Sequence, residues 1–213
     1  MRRYVMEFIG TFFLVLTVCF AVQTTEFAPL AIGAVLTAMV FAGGHISGAH
    51  YNPAVTLAVF LRGRLDAKDV LPYMGAQVVA GVAAALLSFV AFNRPDDPSL
   101  DLSGRELVAA FLVELLFTFA LAFVVLNVAT SKSHPNNSFY GLAIGFTVMA
   151  GAFAVGSVSG GAFNPAVGIA LTVVGLAPWA MLLIYLPATL LGGAGAAYAF
   201  RYLNADDLSP ARR

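Results

Sequence analysis

The sequence predicts an all-α membrane protein with six transmembrane helices and two re-entrant half-helices, arranged as an inverted three-span repeat. Three observations predict it. The chain of 213 residues is 60% hydrophobic and only 10% charged, where a soluble domain carries about 25% charged residues. Six stretches reach the roughly 20 apolar residues that a bilayer-crossing helix needs. One polar signature, Asn-Pro-Ala-Val, occurs twice, at 52–55 and 164–167, and each copy opens an apolar piece too short to cross.

The spans fall at about 4–24, 28–46, 69–92, 106–129, 138–157 and 178–201. The first begins MRRYVMEFIGTFFLVLTVCFAV, with the two arginines and apolar run of a signal peptide. Glu7 interrupts that run, no small-x-small cleavage site follows, and more spans come after, so it reads as a retained helix. Cys19, the single cysteine, lies inside this run and reads as a small packing residue. The short pieces are 53–61 and 165–174. At 1.5 Å per residue, each covers roughly 15 Å, about half of a 30 Å hydrocarbon core. Asn is a preferred N-cap and Pro a preferred first helical residue, so Asn52-Pro53 and Asn164-Pro165 each start a helix. The segment NRPDDPSLDLSG (93–104) is polar and holds two prolines, which marks a linker. Gly75, Gly81, Gly192, Gly193 and Gly195 on the third and sixth spans permit close helix contact. The 6 Met and 18 Phe face lipid or packing interfaces.

With both termini cytoplasmic, Arg2, Arg3, Arg62, Arg64, Lys68, Lys132, Arg201, Arg212 and Arg213 lie inside. Arg94 and Arg105 then lie outside, beside Asp96, Asp97 and Asp101. That bias follows the positive-inside rule, and an even number of spans agrees with it. The expected location is the cell (inner or plasma) membrane.

Asn52 and Asn164 are 112 residues apart. The same offset carries Leu30-Ala31-Ile32-Gly33 onto Leu142-Ala143-Ile144-Gly145, Ser47-Gly48 onto Ser159-Gly160, and Ala80-Gly81 onto Gly192-Gly193. Glu7-x-x-x-Thr11 recurs as Glu114-x-x-x-Thr118 at a slightly shorter offset, in line with a shorter first loop. The chain therefore divides into a first repeat (1–92), an external linker (93–105) and a second repeat with a short cytoplasmic tail (106–213). Three spans per half is odd, so the halves enter the membrane in opposite directions, and a site between them is expected near the midplane.

Inversion brings the two half-helices N-terminus to N-terminus. Non-helical backbone at that depth must be buried in protein or line a wet cavity. The Gly- and Ser-rich approaches, His45 to Tyr51 and Ser157 to Phe163, are expected to run extended and to offer carbonyls to such a cavity. Each helix N-terminus carries roughly +0.5 of an elementary charge, so the facing pair repels cations. Each Asn caps its helix with its carbonyl oxygen and keeps its NH2 to donate into a pore. A water accepting from both amides would point its hydrogens away from the centre and break a proton wire.

GHISGAHYNPAVT, the second SGGAFNPAV and the paired Glu-x-x-x-Thr elements together resemble the aquaporin, or major intrinsic protein, family across nearly the whole chain. That resemblance implies a homotetramer in the lipid bilayer, one pore per subunit, passing water or small uncharged solutes. Asn52, Pro53, Ala54, Asn164, Pro165 and Ala166 would form its central pore motifs. Water-selective members have an aromatic, a histidine, a small residue and an arginine at an external constriction. The matching positions here are Ile32, Ala152, Gly161 and Val167. Arginine would supply a fixed cation and five donors, and valine supplies neither. The implied filter is wide and apolar, and size is the main exclusion left. Glycerol facilitators keep the arginine and add an aspartate, whereas this chain has Val167-Gly168. Arginine-free bacterial members are linked to metalloid hydroxides, which makes arsenous acid the leading expected solute. Urea, ammonia, hydrogen peroxide and glycerol stay open.

Glu7 and Glu114 are ionisable groups within spans, where function is the default reading. A proton relay is one role. Their duplication favours scaffolding instead, each accepting hydrogen bonds from the backbone that leads into a half-helix. His45 is expected at the cytoplasmic vestibule or in a structural hydrogen bond. His50 and His134 are scattered and suggest no metal site. No nucleophile–base set or phosphate loop occurs, so no enzyme and no cofactor is expected. The net charge is zero with no basic tract, which disfavours a nucleic-acid partner. Two rivals to a channel remain, an inverted-repeat secondary transporter and a non-conducting scaffold.

Overall fold

The computed structural model describes residues 1–96, 100, 102–134 and 136–208. Asp97 and Asp101 of the expected linker, and Arg212 and Arg213 of the expected tail, lie outside the described residues. The long helices are α1 (Arg2–Thr24), α2 (Ala28–Ser47), α4 (Ala67–Ser88), α5 (Arg105–Val125), α6 (Tyr140–Ser159) and α8 (Leu182–Leu203). A π turn over Leu126–Thr130 extends α5, and a 3-10 turn over Trp179–Met181 leads into α8. The short helices α3 (Pro53–Leu61) and α7 (Pro165–Val173) sit between spans, and α9 (Ala205–Leu208) follows the last. Among the described residues, six helices are long and apolar enough to cross a membrane, and there is no strand.

The bundle is built twice. Helix α1 packs on α2 and α4, α5 packs on α6 and α8, and α2 meets α6 where the halves join. At that crossing a Cβ on Gly33 would lie 2.8 Å from the Gly145 carbonyl oxygen, so backbone runs against backbone. Each half-helix also packs on the last span of the other half, α3 on α8 and α7 on α4. Large apolar side chains such as Leu71, Val90 and Leu183 point outward. Such a surface would be a liability in water and carries no penalty against lipid.

Three expected boundaries are corrected. The third span ends at Ser88 rather than 92, because Ala91 and Phe92 both bond back to the Ser88 carbonyl as the chain turns into Asn93-Arg94-Pro95. Helix α7 ends at Val173, with Val174 as its C-cap, rather than at 174. The approaches to the half-helices are not extended from 45 and 157. Residues 45–47 and 157–159 are still helical, and Gly48 and Gly160, both at φ +89, stop α2 and α6 in the left-handed conformation. The short loops that follow hold Ala49, Tyr51, Gly161 and Phe163 at positive φ as well. Asn52 and Asn164, at φ −158 and −159, return each chain to extended backbone at the N-cap.

The half-helix C-termini face opposite ends of the bundle, and a cation meets each. Arg201 donates to the Leu61 carbonyl at 3.1 Å beside Arg62. At the other end the Arg94 side chain lies over Gly175, just past α7, where an added Cβ would fall 2.8 Å from Arg94 Cγ. Positive charge at a helix C-terminus offsets the macrodipole.

Arg62 also ties α9 to the bundle. Its NH2 lies 3.1 Å from Asp207 Oδ2, its guanidinium bonds Thr130, and it stacks 4.7 Å above the Phe200 ring. Burial pushes the Asp207 carboxyl up. Hydrogen bonds from the Lys132 N–H and Ser131, with the Arg62 charge, outweigh it and hold the group below the ordinary aspartate value of 3.8. A carboxyl depressed in the folded state stabilises above its unfolded pKa, and that contribution disappears as pH falls through the folded value. Asp207→Asn should therefore lower the melting temperature by a few degrees at pH 7, and the gap should close as the pH falls below the ordinary aspartate value and through the folded one. A gap that persists at low pH in a melt in detergent would show that the charge is not what matters.

Candidate pore between the two half-helices

The N-termini of α3 and α7 touch at the middle of the bundle. Asn52 Oδ1 accepts from the N–H groups of Ala54 (2.8 Å) and Val55 (3.4 Å), and Asn164 Oδ1 accepts from Ala166 N–H (2.9 Å). Pro53 and Pro165 follow at the first helical position, where a missing N–H removes no intrahelical bond. The amide groups cross over: Asn52 Nδ2 donates to the Phe163 carbonyl and Asn164 Nδ2 to the Tyr51 carbonyl, both at 2.9 Å. One hydrogen of each NH2 thus links the halves, and one is left over. Sequence reasoning had each NH2 donate into the pore and did not foresee the bond that each makes across the halves.

The loops that hold these carbonyls hang on the two buried acids. Glu7 accepts from Ser47 Oγ (2.6 Å), His50 N–H (3.0 Å) and Tyr51 N–H (2.7 Å). Glu114 accepts from Ser159 Oγ (2.7 Å), Ala162 N–H (2.9 Å) and Phe163 N–H (2.7 Å). The partners match position for position at the 112-residue offset. Tyr73 and Tyr185 complete each set by donating to the Ser47 and Ser159 carbonyls. The Tyr51 ring fills the space left by Gly10 and Gly43 and donates to the Met39 carbonyl at 2.9 Å.

Two cavities meet at this centre. One, of about 260 Å³, opens at the end of the bundle away from the termini, and Ile32, Ala152, Gly161, Val167, Asn52 and Asn164 all line it. Ile32 and Val167 are 7% and 4% exposed, so they form wall rather than rim. Gly161 lies against Ala152, its would-be Cβ 3.6 Å from the Ala152 Cα. The other cavity, of about 470 Å³, opens at the end that carries the termini, with Arg3, His45, Arg64 and Thr130 in its wall. His45 is exposed there. His50 and Val125 line both cavities and so mark the neck between them. No cluster of three or more His, Cys, Asp or Glu that could hold a metal ion occurs among the described residues.

Sequence reasoning missed the part played by His50 and two side chains connected to it, Thr56 and Gln77. His50 is buried, with Nδ1 3.2 Å from Thr56 Oγ1. The signal was present: His50 lies two residues before Asn52, and Ala162 stands at the equivalent place before Asn164.

Six apolar helices around two facing half-helices, with a cavity at either end and a polar neck between, define a membrane channel. The sequence profile of the major intrinsic protein family matches residues 1–200. The glycerol uptake facilitator protein-like 6 of Lactiplantibacillus plantarum is 36% identical over 97% of this chain and 100% of its own. Aquaporin NIP1-4 of Oryza sativa subsp. japonica is 34% identical over 93% of this chain and 75% of its own. The X-ray structure of the aquaglyceroporin from Plasmodium falciparum superposes with a TM-score of 0.74 over 93% of this chain and 94% of that one. At 20% identity that likeness speaks for the fold alone. The chain belongs to the major intrinsic protein family. It is a multi-pass membrane channel of the aquaporin and glycerol-facilitator kind, for water and small solutes. Members of the family are passive channels and not enzymes. The expected distance from glycerol facilitators rested on positions 167 and 168, and the relative from L. plantarum that carries that name is nonetheless similar along the whole chain.

Proposed function

We propose that this channel conducts small uncharged solutes larger than water, through an outer filter of Ile32, Ala152, Gly161 and Val167 that lacks a cation. The observation that carries this reading is the cavity wall at these four positions: two aliphatic side chains, one methyl and one bare backbone. A solute crossing it finds backbone groups and no fixed charge, so size sets the limit. Arsenous acid, a neutral polyol-like hydroxide, is the leading solute. Glycerol is the second reading, favoured by the name of the relative from L. plantarum. Asn52 and Asn164, with Pro53, Ala54, Pro165 and Ala166, act as the central motif. Their free N–H groups and the facing helix N-termini exclude cations and interrupt proton transfer.

Glu7 and Glu114 serve as scaffolds, since their acceptor sites are taken up by loop donors. His45 stands at the cytoplasmic vestibule. The unit is a homotetramer in the cell membrane with both termini cytoplasmic, as the distribution of Lys and Arg favours. Its two repeats divide at 92 and 106.

The test is Val167→Arg in proteoliposomes, followed by stopped-flow light scattering. Arginine narrows the wall and adds a cation, so glycerol and arsenous acid permeability should fall by about tenfold or more while water is retained. Unchanged solute flux would remove position 167 from the constriction.

A further inference from the structure

The two cavities differ in charge. Among the described residues, no Asp, Glu, Lys or Arg lines the cavity away from the termini. Arg3 and Arg64 line the other, His45 shares its wall, and no Asp or Glu joins them there. A neutral solute needs no such charge. The positive-inside rule accounts for arginines at this end, but long basic side chains then reach for lipid headgroups at the rim of a bundle. These two instead line the vestibule that leads to the neck. Arg3 comes from the first turn of α1, and Arg64 from the turn after α3, where its N–H bonds the Val59 carbonyl at 3.0 Å. Thr130 and Ser131, from the second half, complete the wall.

The carboxylates at this end are committed elsewhere. Asp207 pairs with Arg62, and Asp66 with Lys68 at 3.6 Å. Asp69 accepts from the Tyr4 hydroxyl at 2.6 Å and stands 4.0 Å from Arg3, a loose ion pair. Asp206 is exposed and lies outside the cavity wall. Glu7 is taken up by its own donors. Among the described residues Arg64 pairs with no carboxylate. Its NH2 reaches only the Thr130 carbonyl, at a weak 3.5 Å. A concave wall of one sign concentrates its field, and the two half-helix N-termini beyond the neck add to it. Arginine forks match the oxygens of phosphate and carboxylate. A carboxylate has one charge and two oxygens, enough for one fork. A phosphoryl group has more of both and can meet two arginines at once.

We propose that this vestibule is a binding site for a phosphate-type oxyanion, held between Arg3 and Arg64 on the approach to the neck. Binding follows from the charge of the wall. Its consequence rests on the channel reading above: the bound ion stands in the path of the neutral solute and slows it.

The experiment uses the full chain in detergent and in proteoliposomes, with inorganic phosphate as the probe and chloride at equal ionic strength as the control. In detergent, phosphate should raise the melting temperature by about 2–4 °C over chloride. Arg64→Gln and Arg3→Gln should each remove that shift. Arg64→Lys should keep part of it, since the charge stays and the fork is lost. In phosphatidylcholine vesicles, urea permeability should fall by about half at the phosphate concentration that half-saturates the thermal shift. Each variant is compared with itself in chloride, so a change in basal flux cancels, and size-exclusion profiles establish that it is folded. Phosphatidylglycerol vesicles separate the sources of the anion. Flux already lowered there, with no further effect of phosphate, assigns the site to a lipid headgroup; phosphate acting equally in both lipids assigns it to the free ion. No thermal shift, or the same shift in Arg64→Gln as in wild type, would overturn the site and leave the channel reading intact. A shift with undiminished flux would keep the site and remove the obstruction. A shift in a protein whose vesicles are no more permeable than empty ones would keep the site and overturn the channel reading.

Discussion

Replacing Glu7 by leucine should leave the protein barely folded, and replacing Glu114 by leucine should do so slightly less. Leucine nearly matches the volume but accepts nothing. At Glu7 it abandons the N–H groups of His50 and Tyr51, the Ser47 hydroxyl and the Gln77 amide; at Glu114 it abandons the N–H groups of Ala162 and Phe163 and the Ser159 hydroxyl. These donors lie in loops buried at the centre of the bundle, and each unsatisfied one costs about 1–3 kcal/mol. Three or four together reach about 4 kcal/mol or more, a large part of the 5–15 kcal/mol that separates folded from unfolded for a typical domain. A fall in melting temperature of roughly 10 °C or more follows. Glutamine at either site should fall between, since one of its two arms becomes a donor facing a donor. Thermal melts in detergent, followed by size exclusion, rank the variants. A stable Glu7→Leu protein with normal flux would show that the loop before α3 is held by other contacts, and the scaffold role would go.

The same acids show what the sequence could and could not reveal. Their placement within apolar spans, and their duplication, were legible because ionisable residues there are rare and need partners. The half-helices were legible from Asn-Pro, a cap followed by a residue suited to the first turn. Ile32, Ala152, Gly161 and Val167, the positions that the resemblance offered for an outer filter, fall on one cavity wall. Other features were hidden for physical reasons. His45 to Ser47 read as the start of the approach loop, yet Glu7 bonds the Ser47 hydroxyl and the helix runs on until Gly48 turns left-handed. The crossed amides of Asn52 and Asn164 join residues 111 and 113 apart, and the Arg62–Asp207 pair joins residues 145 apart. No local periodicity encodes such contacts. His50 had a signal in the broken repeat, but its meaning needed the positions of Thr56 and Gln77.

Gly193→Ala should abolish flux, while Gly195→Ala, two residues along the same helix, should be almost silent. A Cβ at Gly193 would fall 2.4 Å from the carbonyl oxygen and 3.1 Å from the carbonyl carbon of Ala54. Those atoms are backbone, in the first turn of α3, and no rotamer change moves them. Either α8 shifts away or the half-helix slides, and Asn52 goes with it. Its 2.9 Å bond to the Phe163 carbonyl, and the reciprocal bond from Asn164 to Tyr51, have little room to follow. Gly81, the equivalent contact of α4 with α7, is looser, with 2.9 Å to the Ala166 carbonyl oxygen, so Gly81→Ala should be partly active. At Gly195 the nearest atom is a Phe119 ring carbon at 3.4 Å, and at Gly75 nothing lies within 4 Å. Alanine at Gly75 should gain up to about 1 kcal/mol of helix propensity. The series is read as water and urea permeability against melting temperature. Because each half-helix leans on the far half of the molecule, the order Gly193, Gly81, Gly195, Gly75 should hold for flux as well as stability. A Gly193→Ala channel that conducts normally would mean that the half-helices adjust freely, and that the crossed amides do not fix the centre of the pore.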